Sequence, residues 1–158
     1  IKVALFNVAD VNNPKVTDEI IIGDSSTHSE ALHNHKAFFF DKSRDVLSIP
    51  ISGDIESLES SSSAKMFAPE YNRWSGFYVF DLDKLEGFDL KGTVTHSDDS
   101  SRYYGMNQAR TFYIDDVLYT ASNDYLKMNS FDELKEINSI KFENTGKFIE
   151  YLDEEIMR

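Results

Sequence analysis

The sequence contains no cysteine, which excludes disulfide bonds, thiolate metal ligands and cysteine nucleophiles from the chemistry of this chain. Basic residues are also scarce, because 16 Lys and Arg stand against 28 Asp and Glu and leave a formal net charge of −12 at pH 7. This acidity argues against a nucleic-acid partner, since phosphates are bound through clustered Lys and Arg. No apolar run approaches the roughly 18 residues that a membrane-spanning helix needs. We therefore expect neither a nucleic-acid partner nor a membrane span in this chain.

Aromatic residues are abundant at 13% of the chain, a share that favours a β-rich globule over disorder. Short apolar or alternating runs recur along the sequence and are separated by Asp, Asn, Gly and Ser. They predict an all-β chain with ten strands. The predicted strands are residues 2–8, 19–22, 36–40, 46–51, 76–82, 88–95, 110–114, 117–121, 125–129 and 134–142.

Four of these strands repeat in one order. Each unit has an aromatic strand, an acidic turn, a second strand that begins Asp-Val-Leu (residues 45–47 and 116–118), and two further strands. In this alignment Phe38 corresponds to Phe112. The short turns require antiparallel hairpins.

The unit length is that of a propeller blade, so we expect a fragment of about two and a half four-stranded antiparallel blades. Residues 1–24 would form a half blade, 35–96 a blade with an insert at 52–75, and 110–142 a further blade. Residues 143–158 carry apolar side chains at helical spacing and predict a short C-terminal helix or a connector. Because the chain begins inside an apolar run without an initiator Met, we expect it to be a piece of a longer polypeptide.

Several segments resemble a known family. Those segments are residues 5–15, 22–24, 29–38 (SEALHNHKAF), 76–80, 94–96 and 110–120 (RTFYIDDVLYT). They resemble the C-terminal β-propeller domain family of secreted prokaryotic proteins, which is found largely in archaea and is distantly WD40-like. The resemblance runs through nearly all of residues 1–142 outside the serine-rich insert. It implies a secreted or cell-surface product, and it implies no established activity and no catalytic residues.

Three of the four histidines, His28, His33 and His35, lie within eight residues of one another. Imidazoles at this density are potential ligands for zinc or another divalent metal, so one hypothesis is a metal-binding protein or a metal-dependent enzyme. The family pattern covers His35 but not His28 or His33, so the resemblance does not imply a shared metal site.

A competing interpretation makes the histidines structural. In WD-type blades a histidine ahead of the first strand donates hydrogen bonds to a buried Asp and to a Ser or Thr. This interpretation predicts a hydrogen-bond network that contains His35 and His96, with Asp124 or Ser122 in the last blade and Asp45 or Ser48 in the previous one as acceptors.

The predicted insert at residues 52–75 ends in an aromatic stretch that contains the only Trp of the chain. Tyr71, Arg73 and Trp74 in this stretch either pack back on the sheet or form a ligand-binding loop. Four consecutive serines at residues 60–63 predict that the first half of the insert is a surface loop.

Catalytic motifs are absent from the sequence: it has no Gly-x-Ser-x-Gly element and no calcium loop of the EF-hand pattern. We therefore predict a noncatalytic extracellular interaction module, without a cofactor, that binds a protein or a carbohydrate. The metal-dependent alternative stays open. Open edge strands at residues 2–8 or near the end of the chain predict self-association.

Overall fold

The computed structural model describes residues 1–54, 73–97 and 106–142. These residues form ten strands and two 3-10 turns, the latter at Glu30–Leu32 and His35–Ala37. The strands are β1 (Lys2–Asn7), β2 (Lys15–Ile21), β3 (Phe39–Asp41), β4 (Val46–Asp54), β5 (Arg73–Asp83), β6 (Gly87–Thr95), β7 (Arg110–Ile114), β8 (Val117–Ala121), β9 (Tyr125–Ser130) and β10 (Glu136–Lys141). Within the described ranges, no helix has the length and apolar character to cross a membrane.

The strands form three antiparallel sheets. Sheet 1 pairs β1 with β2, sheet 2 has the order β3-β4-β5-β6, and sheet 3 contains β7, β8, β9 and β10 in sequential order. Neighbouring strands within each sheet are consecutive in the chain, and every such pair except β4–β5 is joined by a short turn. Asp115 and Asp45 adopt left-handed backbone angles (φ 50° and 48°) in two of these turns, a conformation that Asp tolerates better than most residues. The predicted half unit followed by two four-stranded units is confirmed.

The β4–β5 hairpin is longer than predicted. Its ladder continues as far as the Asp54–Arg73 pair, so both strands extend into the predicted insert at residues 52–75. Arg73 and Trp74 therefore belong to β5 and not to a loop. Tyr71 and the serine run lie outside the described residues, as does the predicted helix or connector at 143–158.

β3 is shorter than predicted because side-chain caps turn the backbone just before it. The Asn34 Oδ1 atom accepts the Lys36 N–H at 3.1 Å and begins the second 3-10 turn. Ser29 caps the first turn in the same way, through the Ala31 N–H at 3.2 Å. Such Asx and Ser caps compete with strand geometry, so the extended backbone starts only at Phe39.

Sheets 1 and 2 pack face to face through apolar side chains. Alternation along β4 points Leu47, Ile49 and Ile51 towards sheet 1, where Val3 and Ile20 cover them. Tyr78 and Phe80 of β5 join the same cluster. A single backbone-to-carboxylate tie, from the Phe88 N–H to Asp18 Oδ2 at 2.9 Å, accompanies this contact. Apolar burial thus positions sheet 1.

Sheets 2 and 3 pack through the opposite face of β4. Val46 and Val79 meet Leu118, Phe131 and Leu134 in a second buried cluster. Polar contacts run through this interface as well. The buried Ser48 and Thr111 hydroxyls are 2.9 Å apart.

The Arg44 side chain makes a further contact between sheets 2 and 3. Its guanidinium carbon lies 4.5 Å from the ring centroid of Tyr113 and 4.3 Å from that of Phe131. Its Nη2 atom also donates to the Asp115 carbonyl at 2.8 Å. A planar cation that contacts two aromatic rings is a favourable arrangement that a lysine would not reproduce.

Candidate functional site

The sheets have two ends that differ in construction. At one end, which we call the turn end, short hairpin turns join β1 to β2, β3 to β4, β5 to β6, β7 to β8 and β9 to β10. At the other end, which we call the loop end, lie residues 22–38, the last residues of β4 and β6, the first residues of β5 and β7, and residues 122–124. All four predicted candidate histidines are at the loop end. The candidate site therefore lies at the loop end.

Hydrogen bonds anchor residues 22–38 at several points along the segment. Gly23 has a φ of 65°, and a Cβ at this position would overlap Thr27, whose hydroxyl accepts the Asp24 N–H at 3.0 Å. His28 and Ser52 exchange backbone hydrogen bonds of 2.7 and 2.9 Å. The Glu30 carboxylate accepts the Ala109 N–H and the Asn34 side-chain amide. The segment is thus anchored to both β4 and the start of β7.

His28, His33 and His35 all lie on this segment with exposed side chains. His28 pairs with β4 through its backbone, His33 ends the first 3-10 turn, and His35 begins the second. In the described part of the chain, no group of three His, Asp or Glu side chains is placed to hold a metal ion. The three histidines predicted as a metal site are therefore not brought together as one.

His96 occupies a very different environment. Its ring is only 3% exposed, with Nδ1 2.8 Å from the Ser122 hydroxyl and Nε2 2.8 Å from the Thr120 hydroxyl. The rings of Phe77 and Tyr125 pack edge-on against it. Burial lowers the pKa of His96 to about 3, with a smaller contribution from the nearby Lys127 ammonium group. The imidazole is neutral at neutral pH and connects the end of β6 to the end of β8.

The predicted network is thus formed by His96 and not by His35. His35 is exposed, and within the described ranges its ring makes no side-chain hydrogen bond. Asp45 cannot reach it, because Asp45 precedes β4 at the turn end, where its carbonyl accepts the Leu82 N–H at 2.7 Å. The Asp124 N–H donates to the Ser122 hydroxyl at 3.3 Å, but the partners of the His96 ring are hydroxyls.

Ser122 was one of the predicted acceptors, whereas Thr120 was not predicted. A signal for both was present, because Thr120 is the penultimate residue of β8, with its side chain on the face towards sheet 2, and Ser122 follows two residues later. In an extended strand, side chains two residues apart lie on the same face. Two hydroxyls at that spacing can therefore bind both nitrogens of one imidazole.

The distance of 2.8 Å between His96 Nδ1 and the Ser122 hydroxyl is also the distance expected between a general base and a serine nucleophile. Three observations favour a structural role instead. The ring and the Thr120 hydroxyl are buried, the second ring nitrogen is bound to a hydroxyl and not to an orienting carboxylate, and the depressed pKa disfavours proton uptake.

Trp74 packs back on the sheet. Its indole lies against the cluster between sheets 1 and 2, edge-on to Tyr78 with ring centroids 5.3 Å apart. Its Nε1 atom donates to the Thr95 hydroxyl at 3.1 Å. Of the two alternatives for this stretch, β-pairing and aromatic packing show the packed one for Trp74. Ligand binding by Tyr71, Arg73 and Trp74 stays a prediction.

A family model described as a β-propeller domain matches residues 1–134. The chain belongs to the β-propeller domain family. Sheets 2 and 3 are then complete four-stranded blades of the propeller, and sheet 1 supplies two strands of a third. No curated protein and no solved structure matches this propeller chain significantly.

Proposed function

We propose that this propeller chain is part of a noncatalytic extracellular interaction module that binds a protein or a carbohydrate at its loop end. The proposal rests on the structure of residues 22–38. This segment is anchored to β4 and to Ala109, while its outer side chains face solvent. Ser29 and Ala37 are buried, whereas Leu32 is 61% exposed and Phe38 is 48% exposed. Large exposed apolar groups on an anchored loop are typical of recognition surfaces.

The anchoring favours binding because it reduces the entropy lost when a ligand orders the loop. Side-chain caps hold both 3-10 turns, and the Glu30 carboxylate ties the first turn to Ala109. A partner would therefore meet a preformed surface. Hinge motion is not required for such contact.

The noncatalytic part of the proposal is supported by His96. It is the most buried of the four histidines, and both of its ring nitrogens are occupied by the hydroxyls of Thr120 and Ser122. A substrate would have to break these contacts to reach the ring. His28, His33 and His35 are accessible. In the described part of the chain, however, none of them belongs to a group of three side chains that could hold a metal ion.

The extracellular part rests on the resemblance to secreted prokaryotic propellers. It is tested by treating intact cells that express the full-length parent protein with a protease. Surface exposure predicts cleavage of the parent without lysis, and protection until lysis would contradict it.

Binding itself is tested with protein and glycan arrays, probed with the full-length parent and two matched double variants. Leu32→Ser with Phe38→Ser changes the loop end, whereas Val11→Ser with Leu85→Ser removes two even more exposed apolar groups from the turn end. We expect the first variant to lose the wild-type array signals and the second to retain them. Equal retention by both, or catalytic turnover by the purified parent, would overturn the proposal.

We also propose self-association of this chain through its open strands. β1 pairs only with β2 in sheet 1, and the outward face of sheet 3 exposes Phe112, Ile114 and Ile140. Unpaired edges and apolar faces of this kind attract further strands. Light scattering over a concentration series is expected to show mass above that of one chain. A monomer at high concentration would contradict the proposal.

A further inference from the structure

We infer that three matched positions at each interface between sheets determine which sheets pack together. One position, here called the key residue, directly follows the last strand of a sheet. The other two, here called the socket residues, lie at the end of the second strand of the next sheet. This inference goes beyond the proposed function, because it concerns the order of the sheets and is independent of any ligand at the loop end.

Backbone pairing shows that Ile22 and His96 occupy the same position in the repeat. Each directly follows the last strand of its sheet, β2 or β6. The Ile22 N–H donates to the Ile1 carbonyl and the His96 N–H donates to the Ser75 carbonyl, both at 2.8 Å, and both bonds continue the ladder between the last two strands. Both side chains are almost completely buried. Ile22 and His96 are therefore equivalent key residues, one apolar and one polar.

The socket residues are equivalent in the same way. The second strands, β4 and β8, both begin with Val-Leu. Counted from these valines, Ile49 corresponds to Thr120, and Ile51 corresponds to Ser122. Both pairs of side chains lie at the loop end of their strands, two residues apart, so each pair shares one face.

Each key residue meets the socket of the following sheet. Ile22 is buried in the same apolar cluster as Ile49 and Ile51. The ring nitrogens of His96 instead lie 2.8 Å from the hydroxyls of Thr120 and Ser122. The repeat therefore carries an apolar set between sheets 1 and 2 and a polar set at the equivalent place between sheets 2 and 3.

A key residue is compatible with only one kind of socket. An imidazole in place of Ile22 would meet isoleucine side chains, which offer no hydrogen-bonding atom to either ring nitrogen. An isoleucine in place of His96 would leave the buried Thr120 hydroxyl without its partner. Unpaired buried polar groups cost free energy, whereas apolar contact alone would accept either neighbour. The penalty for a mismatch therefore excludes the wrong neighbour.

The similarity of the sheets makes such discrimination useful. Sheets 2 and 3 share their strand order and the Asp-Val-Leu start of their second strands, and similar repeated units are prone to misassembly. Ile22 of sheet 1 matches the socket of sheet 2 and not the hydroxyl socket of sheet 3. His96 matches sheet 3 alone. The two sets thus specify the order in which the three sheets stack.

The inference is tested with three variants of the full chain that keep the amino-acid composition of the wild type. Key exchange combines Ile22→His with His96→Ile, socket exchange combines Ile49→Thr with Thr120→Ile, and full exchange combines all four substitutions. Ile and Thr are both β-branched, so the socket exchange retains strand propensity. Ser122 is left unchanged because its hydroxyl also accepts two backbone N–H groups.

Key exchange and socket exchange each create mismatches at both interfaces. We expect each to raise the equilibrium constant of unfolding, measured by urea denaturation, by at least about tenfold. Full exchange restores the match and is expected to lower that constant by at least about tenfold relative to either mismatched variant. A full-exchange chain that folds but is no more stable than the mismatched chains would overturn the inference, because each residue would then be fixed by its surroundings and not by its counterpart.

Two milder double-mutant cycles decide the question if the exchange variants do not fold. Within one interface, His96→Ile and Thr120→Val each remove one partner of the same hydrogen bond. The double variant is expected to raise the unfolding constant by no more than the larger single effect. Across interfaces, Ile22→Val and Thr120→Val should multiply their separate effects. Independent effects in the first cycle, or coupling of equal size in the second, would overturn the inference.

Discussion

The two interfaces between the sheets join similar blades by different means. Sheets 1 and 2 meet through Leu47, Ile49, Ile51 and their apolar neighbours, together with the hydrogen bond that Asp18 accepts from the Phe88 N–H. Sheets 2 and 3 combine an apolar cluster with a hydroxyl pair, a guanidinium that contacts two aromatic rings, and the His96 network. Apolar contact is non-directional and stabilises any close approach, whereas buried hydrogen bonds require one register. The comparison indicates that the second interface is the more specifically aligned of the two.

The first test removes apolar volume from the interface of sheets 1 and 2. Ile51→Ala deletes part of a fully buried side chain and is expected to lower the free energy of unfolding by about 2–5 kcal/mol through lost burial and the cavity left behind. Urea denaturation of the chain measures the change. Leu85→Ala serves as the exposed control, and an equal loss in both variants would show that the cluster does not hold the two sheets together.

The second test uses pH and addresses the interface of sheets 2 and 3. The pKa of His96 is about 3 in the folded chain and is near its ordinary value of about 6.5 when unfolded. Because the unfolded state takes up the proton first, stability is complete above pH 6.5 and falls as the pH is lowered towards 3. At about 1.4 kcal/mol for each pKa unit, the loss amounts to a few kcal/mol.

Carboxylates whose pKa is lowered in the folded chain, such as Asp41 and Glu136, contribute to the pH dependence below about pH 5, where the unfolded carboxylates begin to take up protons. We therefore measure the histidine contribution between about pH 6.5 and 5.5. In His96→Asn the free energy of unfolding should be nearly independent of pH across that window. A slope equal to that of the wild type would disprove the assignment to His96.

The third test concerns Arg44. Arg44→Lys keeps the charge but loses the flat contact with Tyr113 and Phe131, and we expect it to lower stability by about 1 kcal/mol. Arg44→Met retains apolar contact without charge and separates packing from the cation–π interaction. If Lys matched Arg in thermal melts, the two rings would contribute nothing specific to this contact.

The smallest expected effect is the coupling between Ser48 and Thr111. Ser48→Ala and Thr111→Val each leave one buried hydroxyl without its partner, at a cost of about 1–3 kcal/mol. The double variant should lose less than the sum of the two, with a coupling energy of about 1 kcal/mol in a double-mutant cycle. Additive losses would remove the hydroxyl pair from the list of contacts that align sheets 2 and 3.

Local sequence patterns predicted the strands well wherever a short turn separated two alternating runs. The bounds predicted for β7 and β8 agree with the structure, because Asp115 and Asp116 leave room for only a two-residue turn. The pairing of Phe39 with Ser48 and of Phe112 with Tyr119 shows that Phe39 is the counterpart of Phe112. The sequence alignment had placed Phe38 there, because the β3–β4 turn is longer. A slip of one residue exchanges the two faces of a strand, so local similarity alone could not say which aromatic rings face the neighbouring sheet.

The candidate site was harder to predict. His35 and His96 each precede the first strand of a unit and look alike in sequence, yet one is exposed and the other is buried between sheets. The difference depends on Thr120 and Ser122, which lie 24 and 26 residues from His96. Trp74 likewise changed from a loop residue to a strand residue because β4 continued to pair with it.

The sequence by itself determined the all-β class, the repeated order of four strands and the hairpin connections, because these depend on alternation and turn chemistry within a few residues. Tertiary structure alone decided which histidine is buried, which face of each strand meets a neighbour and which loop remains exposed. Those outcomes depend on contacts between residues far apart in the chain, and burial and pKa follow from such contacts and not from residue type.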